Sequence, residues 1–277
     1  MRRLRSGLLR TGVAVVVLGF LLIHVGSAPF VAAVDGVTAP AVLLAICLTL
    51  ASSAFSAARW VWVARRLGRD LELATALPAY YRSTFLNQTL PGGILGDVHR
   101  AARQRAIGPV VWERLVGQAV LLAVTGVVLL TIPSTVPRWI AAAGLLGLAA
   151  TAGIAARWVP ERLRTRQLWR PVAWSLAATL GHVALFLLAL YLVAPDVGLT
   201  TSLPLLLAVL VASSLPTNLA GWGPREGAAA ALFALAGLGA GTGVTVAASY
   251  GVLSLVSALP GGLLLVGDAW RPQAVTS

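Results

Sequence analysis

Long stretches without an acidic or basic side chain dominate the chain. Intervals 11–34, 36–58, 115–137 and 171–195 contain no Asp, Glu or Arg, and each is long enough for the roughly twenty apolar residues that cross a bilayer core as a helix. Interval 139–156 is slightly shorter and is read the same way. Interval 197–224 is broken by Pro204, Pro216 and Asn218, which fits a short helix plus irregular backbone. Interval 227–267 is long enough for two crossings, with a turn in Gly237-Leu-Gly-Ala-Gly-Thr-Gly243. The pattern predicts an all-α, polytopic membrane helix bundle of about eight crossings, the seventh short. Residues 1–277 then form a single integral membrane domain.

Composition agrees: 58% of residues are hydrophobic and 11% charged, with mean hydropathy +0.87, whereas soluble domains carry about a quarter charged residues. All 21 basic residues are Arg, and the net charge is +12. In a soluble chain that balance points to nucleic acid. In a membrane protein the available polyanion is the lipid surface, so the expected partners are membrane lipids with anionic headgroups and not nucleic acid. Positively charged segments stay on the cytoplasmic side. Arginines cluster before the first crossing, from Arg59 to Arg114 and from Arg157 to Arg170, and with Arg225 and Arg271 all fall on one side; only Arg138 falls on the other. Both termini are therefore predicted to be cytoplasmic, in a multi-pass protein of the cell membrane, with short outer loops near Asp35, Pro133 to Pro137, Asp196 and Gly239. The first apolar stretch exceeds the roughly 7–15 residues of a signal peptide core, so it reads as a retained helix. A single cysteine, Cys47, excludes an internal disulfide and a multi-thiolate metal site. Without lysine there is no nucleotide-binding P-loop, and no cofactor is expected.

Two segments depart from the helical pattern. In 71–109, the apolar stretches Leu73 to Tyr81 and Ser83 to Gly96 are too short to cross, and Asn87, Gln88, Thr89, Pro91, Gly92 and Gly93 interrupt them. Proline lacks a backbone donor and glycine tolerates positive φ, so Leu90-Pro-Gly-Gly-Ile-Leu-Gly96 predicts a bend. Irregular backbone inside a membrane must line protein or water, which predicts a re-entrant hairpin beside a cavity. The second segment, 213–227, again combines Leu-Pro (Pro216), small polar residues, glycines (Gly221, Gly223) and a charged pair, Arg225 and Glu226, at a new helix start. Interrupted hydrophobic segments in both halves of a chain point to a shared central site.

The run Asn87-Gln-Thr-Leu-Pro-Gly-Gly-Ile-Leu-Gly-Asp-Val-His-Arg100, together with Gly221-Trp-Gly-Pro-Arg-Glu226, resembles the flippase-like family of integral membrane proteins that also forms the membrane portion of lysylphosphatidylglycerol synthase. The resemblance covers nearly the whole chain. It implies a helix bundle with re-entrant elements that moves lipids between leaflets: phospholipids, glycolipids or polyprenyl-linked sugars. The synthase's soluble aminoacyl-transferring domain has no counterpart in this sequence, so lipid aminoacylation is not implied.

The spacing of the first motif places Asp97 with Arg100, and His99 with Arg103, on shared faces of a helix starting near Gly96. A guanidinium fork suits phosphate, and a helix N-terminus favours an anion. The expected binding residues are Asn87, Gln88, Asp97, Arg100, Arg225 and Glu226, with Asp97 or Glu226 paired to an arginine. Hinges are expected at Pro91, Gly92, Gly93, Gly96, Pro216, Gly221 and Gly223. Bland readings accompany these: Arg103 and Arg105 as interfacial anchors, Glu226 as a helix cap, and Glu113 with Arg114 as a helix-end anchor. His24 and His182 read as hydrogen-bonded bundle residues. Trp60, Trp62, Trp139, Trp158, Trp169, Trp174 and Trp270 read as an interfacial belt. The leading expectation is a lipid translocase and not an enzyme. The alternatives are an intramembrane transferase acting on lipid-linked phosphates and a scaffold for a lipid-modifying enzyme.

Overall fold

A computed structural model describes residues 27–90, 93–134, 136–214 and 223–269. The described residues form ten α-helices, two 3-10 turns and no strand. In chain order the helices are α1 (Ala28–Asp35), α2 (Ala39–Arg66), α3 (Leu73–Thr89), α4 (Leu95–Arg103), α5 (Ile107–Thr131), α6 (Arg138–Trp158), α7 (Trp169–Val193), α8 (Leu199–Ser213), α9 (Pro224–Leu235) and α10 (Ala240–Ala269). Four of them, α2, α5, α7 and α10, are long and apolar enough to cross a membrane. The first predicted crossing lies largely outside the described residues, as do His24, Pro91, Gly92, Pro216, Gly221 and Trp270.

Helices α2, α7 and α10 pack on one another, α3 lies against α2 and α10, and α5 joins α2, α7 and α8. The apolar core runs through α7, α8, α9 and α10, with Phe186, Leu205, Leu206, Val209, Phe233 and Leu253 fully buried. Leu43, Leu130, Leu180, Tyr191 and Leu263 face outward, as expected where the surrounding medium is itself apolar. The chain breaks between helices at 36–38, 132–134 and 136–137, 194–198 and 236–239, where the sequence places short loops.

Several sequence expectations need correction. Helices α2 and α5 extend well past the charge-free intervals, to Arg66 and from Ile107, because Arg59, Glu113 and Arg114 lie within them as members of buried or half-buried ion pairs. A charge marks a helix end only when it has no partner inside. Asn87, Gln88 and Thr89 do not interrupt α3; the helix ends at Leu90, which is extended, and Gly93 takes φ +61° before α4. Pro204 does not break the helix: it lies inside α8, as its sixth residue. Of the glycine run, Gly237 and Gly239 have positive φ and make the turn, whereas Gly241 and Gly243 belong to α10. Trp60 is not interfacial: it is fully buried, and Trp62 nearly so. Trp139, Trp158 and Trp169 are exposed as expected.

Candidate functional site

Burying an arginine requires a counter-ion, and here one acidic residue serves two arginines. Glu113 on α5 is completely buried. Its Oε1 accepts from Arg59 Nε of α2 at 3.1 Å and also from Arg59 Nη2. Its Oε2 accepts from Arg100 Nη2 of α4 at 2.6 Å, and Tyr80 of α3 donates to Oε1 at 3.3 Å. Four helices thus meet at one carboxylate.

Arg100 is 1% exposed. Its guanidinium carbon lies 4.6 Å from the Trp60 ring centroid and 4.4 Å from that of Tyr80, an arrangement in which ring faces attract a desolvated cation. Arg100 Nε donates to Asp97 Oδ1 at 3.0 Å, the pair expected from the three-residue spacing. Asp97 also accepts from Ser83 Oγ at 3.1 Å and Asn87 Nδ2 at 3.3 Å, and pairs with Arg114. Asn87 Oδ1 in turn accepts the Gly96 N–H at 2.8 Å. The Asn87 side chain therefore staples the end of α3 to the start of α4 across the break.

In the second segment, Gly223 takes φ +114°, a conformation open to glycine, and starts α9. Glu226 Oε2 accepts the Gly223 N–H at 2.7 Å, while its Oε1 accepts from Arg225 Nε at 2.8 Å and Nη2 at 2.5 Å. The capping role and the ion-pair role coexist in one carboxylate. Arg225 lies 5.3 Å from the Tyr250 ring centroid, Tyr250 stacks on Phe186, and the Tyr250 hydroxyl is 3.4 Å from His182 Nδ1.

A cavity of about 290 Å³ lies between these groups. Asn87, Gln88 and Gly93 from the first segment and Arg225 from the second share its wall, joined by Arg59, Arg114, Tyr80, His182 and Tyr250. Ser and Thr side chains of α2 and α7, with residues of α3, α5 and α8, line the rest. Gln118 Nε2 donates to Ser214 Oγ at 3.0 Å, tying α5 to the end of α8 at the same wall.

A family model described as the lysylphosphatidylglycerol synthase TM region matches residues 7–167, more than half of the chain. The chain belongs to that family. Neither the curated proteins nor the solved structures yield a match. Membership in the lysylphosphatidylglycerol synthase TM family, with four apolar helices of spanning length, makes this an integral membrane protein connected with lipid metabolism or transport. The match ends before Arg225 and Glu226, so the geometry alone joins the second segment to the first.

Within this family member, the sequence-derived site residues separate into two groups. Asn87, Gln88, Gly93 and Arg225 line the cavity; Asp97, Arg100 and Glu226 are buried behind it, with Asp97 pairing Arg100 and Glu226 pairing Arg225. Gly96 sits at the contact of α3 and α4, where a Cβ would run into the Ser83 carbonyl. Sequence reasoning missed Arg59 and Glu113 as partners, and Gly117. Arg59 Nη1 donates to Ser175 Oγ at 2.8 Å, and a Cβ on Gly117 would come within 2.9 Å of the same nitrogen. Gly117 follows Glu113 by one helical turn, so the spacing was available as a signal once Glu113 was recognised as buried.

Proposed function

We propose that this protein is a lipid translocase that moves an anionic phospholipid, glycolipid or polyprenyl-phosphate-linked lipid between the leaflets of the cell membrane, without covalent chemistry on its cargo. The observation that carries this reading is one polar cavity, set among spanning helices, whose wall is shared by both interrupted segments and by three guanidiniums. Arg59, Arg100, Arg114 and Arg225 gather about the carboxylates of Asp97, Glu113 and Glu226. Three of these guanidiniums, those of Arg59, Arg114 and Arg225, reach the cavity wall, where their forked donors suit a phosphodiester. The headgroup occupies the cavity while the acyl chains stay in the bilayer, so no charge crosses bare hydrocarbon, where the cost is several kcal/mol.

In this reading the chain makes eight crossings with both termini in the cytoplasm. Helices α3 and α4 form a re-entrant pair; at 17 and 9 residues, both are shorter than the roughly twenty residues of a spanning helix. The backbone at Gly93 and Gly223 is where the pair and α9 hinge between inward-open and outward-open states.

The test is reconstitution into liposomes containing an acyl-labelled fluorescent anionic phospholipid, followed by addition of a membrane-impermeant reductant. Protein should raise the quenched fraction above the half accessible in protein-free vesicles, and Arg225→Ala should slow this at least tenfold with the same yield of folded protein. Quenching no greater than in protein-free vesicles would overturn the proposal.

A further inference from the structure

A second groove, of about 490 Å³, opens between the end of α2 and the start of α7 and shares no lining residue with the central cavity. Its rim is cationic: Arg65 and Arg66 close α2, and Arg170 lies in the first turn of α7. Arg65 and Arg170 are exposed, and Arg66 is half-buried. The arginines of the central cluster are paired with carboxylates, whereas these three pair with none among the described residues. Arg65 Nε donates to the Leu71 carbonyl at 3.0 Å, and Arg66 Nη2 donates to Gln167 Oε1 at 2.6 Å while its guanidinium stacks over the Trp62 ring. Each bond steadies a guanidinium that has five N–H donors to offer.

Below the rim the wall turns apolar. Val61 and Ala58 stand about 6 and 10 Å inward from Arg65 along α2, and Trp174 stands about 6 Å inward from Arg170 along α7. Trp62 and Leu73 complete that wall. One apolar span ends at Arg66 and another begins at Arg166, and the bond between Arg66 and Gln167 joins those two ends. The guanidiniums therefore sit where the apolar spans stop, with the apolar wall inside them. A soluble anion would use only the rim of such a groove; a lipid uses both parts.

We infer that this groove holds a resident anionic phospholipid, its phosphate among Arg65, Arg66 and Arg170 and one acyl chain along Val61, Trp62 and Trp174. The lipid is a fixed ligand and not cargo, so the inference stands apart from the translocase reading. Trp62 and Trp174 also pack with Leu163 and Val159, which lie between α6 and α7, so a lipid held here braces that connection as well as the α2–α7 pair. In the proposed orientation this end meets the cytoplasmic leaflet, where each arginine near the surface strengthens binding of anionic lipid about fivefold.

Three probes separate the contributions. Short-chain phosphatidylmethanol carries one phosphodiester charge and two acyl chains, dimethyl phosphate carries the charge without the chains, and short-chain phosphatidylcholine carries both with a cancelling ammonium. All are added to the detergent-purified protein and to Arg225→Ala, in which the central cavity has lost a guanidinium. In both proteins phosphatidylmethanol should raise the melting temperature saturably, at a half-saturating concentration at least tenfold below that of phosphatidylcholine, and native mass spectrometry should retain it. Dimethyl phosphate at the same concentration should do neither. Arg65→Gln combined with Arg170→Gln should raise the half-saturating concentration about 25-fold, and Arg66→Gln alone about fivefold, as the contribution of each arginine implies. Arg65 and Arg170 are exposed, so their exchange leaves the core intact, and circular dichroism checks the helix content. Equal effects of the two lipids, an equal effect of dimethyl phosphate, binding unchanged in the groove variants, or binding lost in Arg225→Ala each overturns the inference. None of these readings depends on transport.

Discussion

Glu113 joins α5 to Arg59 on α2 and Arg100 on α4, and all three side chains are buried. Removing one partner of such a group leaves uncompensated buried charge, which costs about 3–5 kcal/mol. Glu113→Ala is accordingly expected to lower unfolding stability in detergent by that order, measured by chemical denaturation with tryptophan fluorescence. Trp60 lies within the cluster and reports on it. Loss of less than about 1 kcal/mol would show that the cluster is solvated. Gly117→Ala tests the same place by volume: the added methyl meets the Arg59 guanidinium and should cost about 1–3 kcal/mol as overpacking does. The pairing of Asp97 with Arg100 was legible in the sequence, because a three-residue spacing on a helix brings side chains together whatever the tertiary fold. Glu113 with Arg59 was not. Their contact joins helices far apart in the chain, and reading each charge as a helix boundary placed both at the interface.

Between elements, close approach depends on the absence of a side chain. Gly96 brings the start of α4 onto the Ser83 carbonyl of α3, and its Cβ position is also 2.8 Å from Asn87 Oδ1. Backbone cannot move aside as a flexible side chain can, so Gly96→Ala should destabilise by about 1–3 kcal/mol and loosen the Asn87 staple. Gly108 on α5 is the matched control, since nothing lies within 4 Å of its Cβ position; Gly108→Ala should be neutral or slightly stabilising, by up to about 1 kcal/mol. Thermal melts of the two variants side by side check the contrast, and equal effects would refute it. Elements also mark where sequence runs out. Leu-Pro-Gly-Gly occurs at 90–93, where the chain leaves α3, and again at 259–262, which α10 passes through unbroken. Inside α10, Gly261 and Gly262 lie against Tyr81 and Phe85 of α3. The same tetrapeptide starts where one helix ends and packs inside another because of its neighbours, which no local rule supplies.

For the whole molecule, the alternation of apolar intervals with arginine clusters carried most of the information. It gave the helical class, the positions of the inter-helix turns and the membrane setting, since bilayer thickness constrains length more tightly than any packing detail. The topology has its own test. In a Cys47→Ser background, a cysteine at Asp196 should react with an impermeant maleimide from outside intact cells, and one at Arg164 only after permeabilisation; the reverse pattern would invert the orientation. The guanidiniums of Arg59, Arg114 and Arg225 on the cavity wall also have an electrical consequence for the proposed translocase. In that cycle the loaded and vacant sites differ by the one elementary charge of a monoanionic headgroup, so each 100 mV of membrane potential biases the two half-cycles differently by about 2.3 kcal/mol. The resting potential of the cell would then favour one direction of net movement.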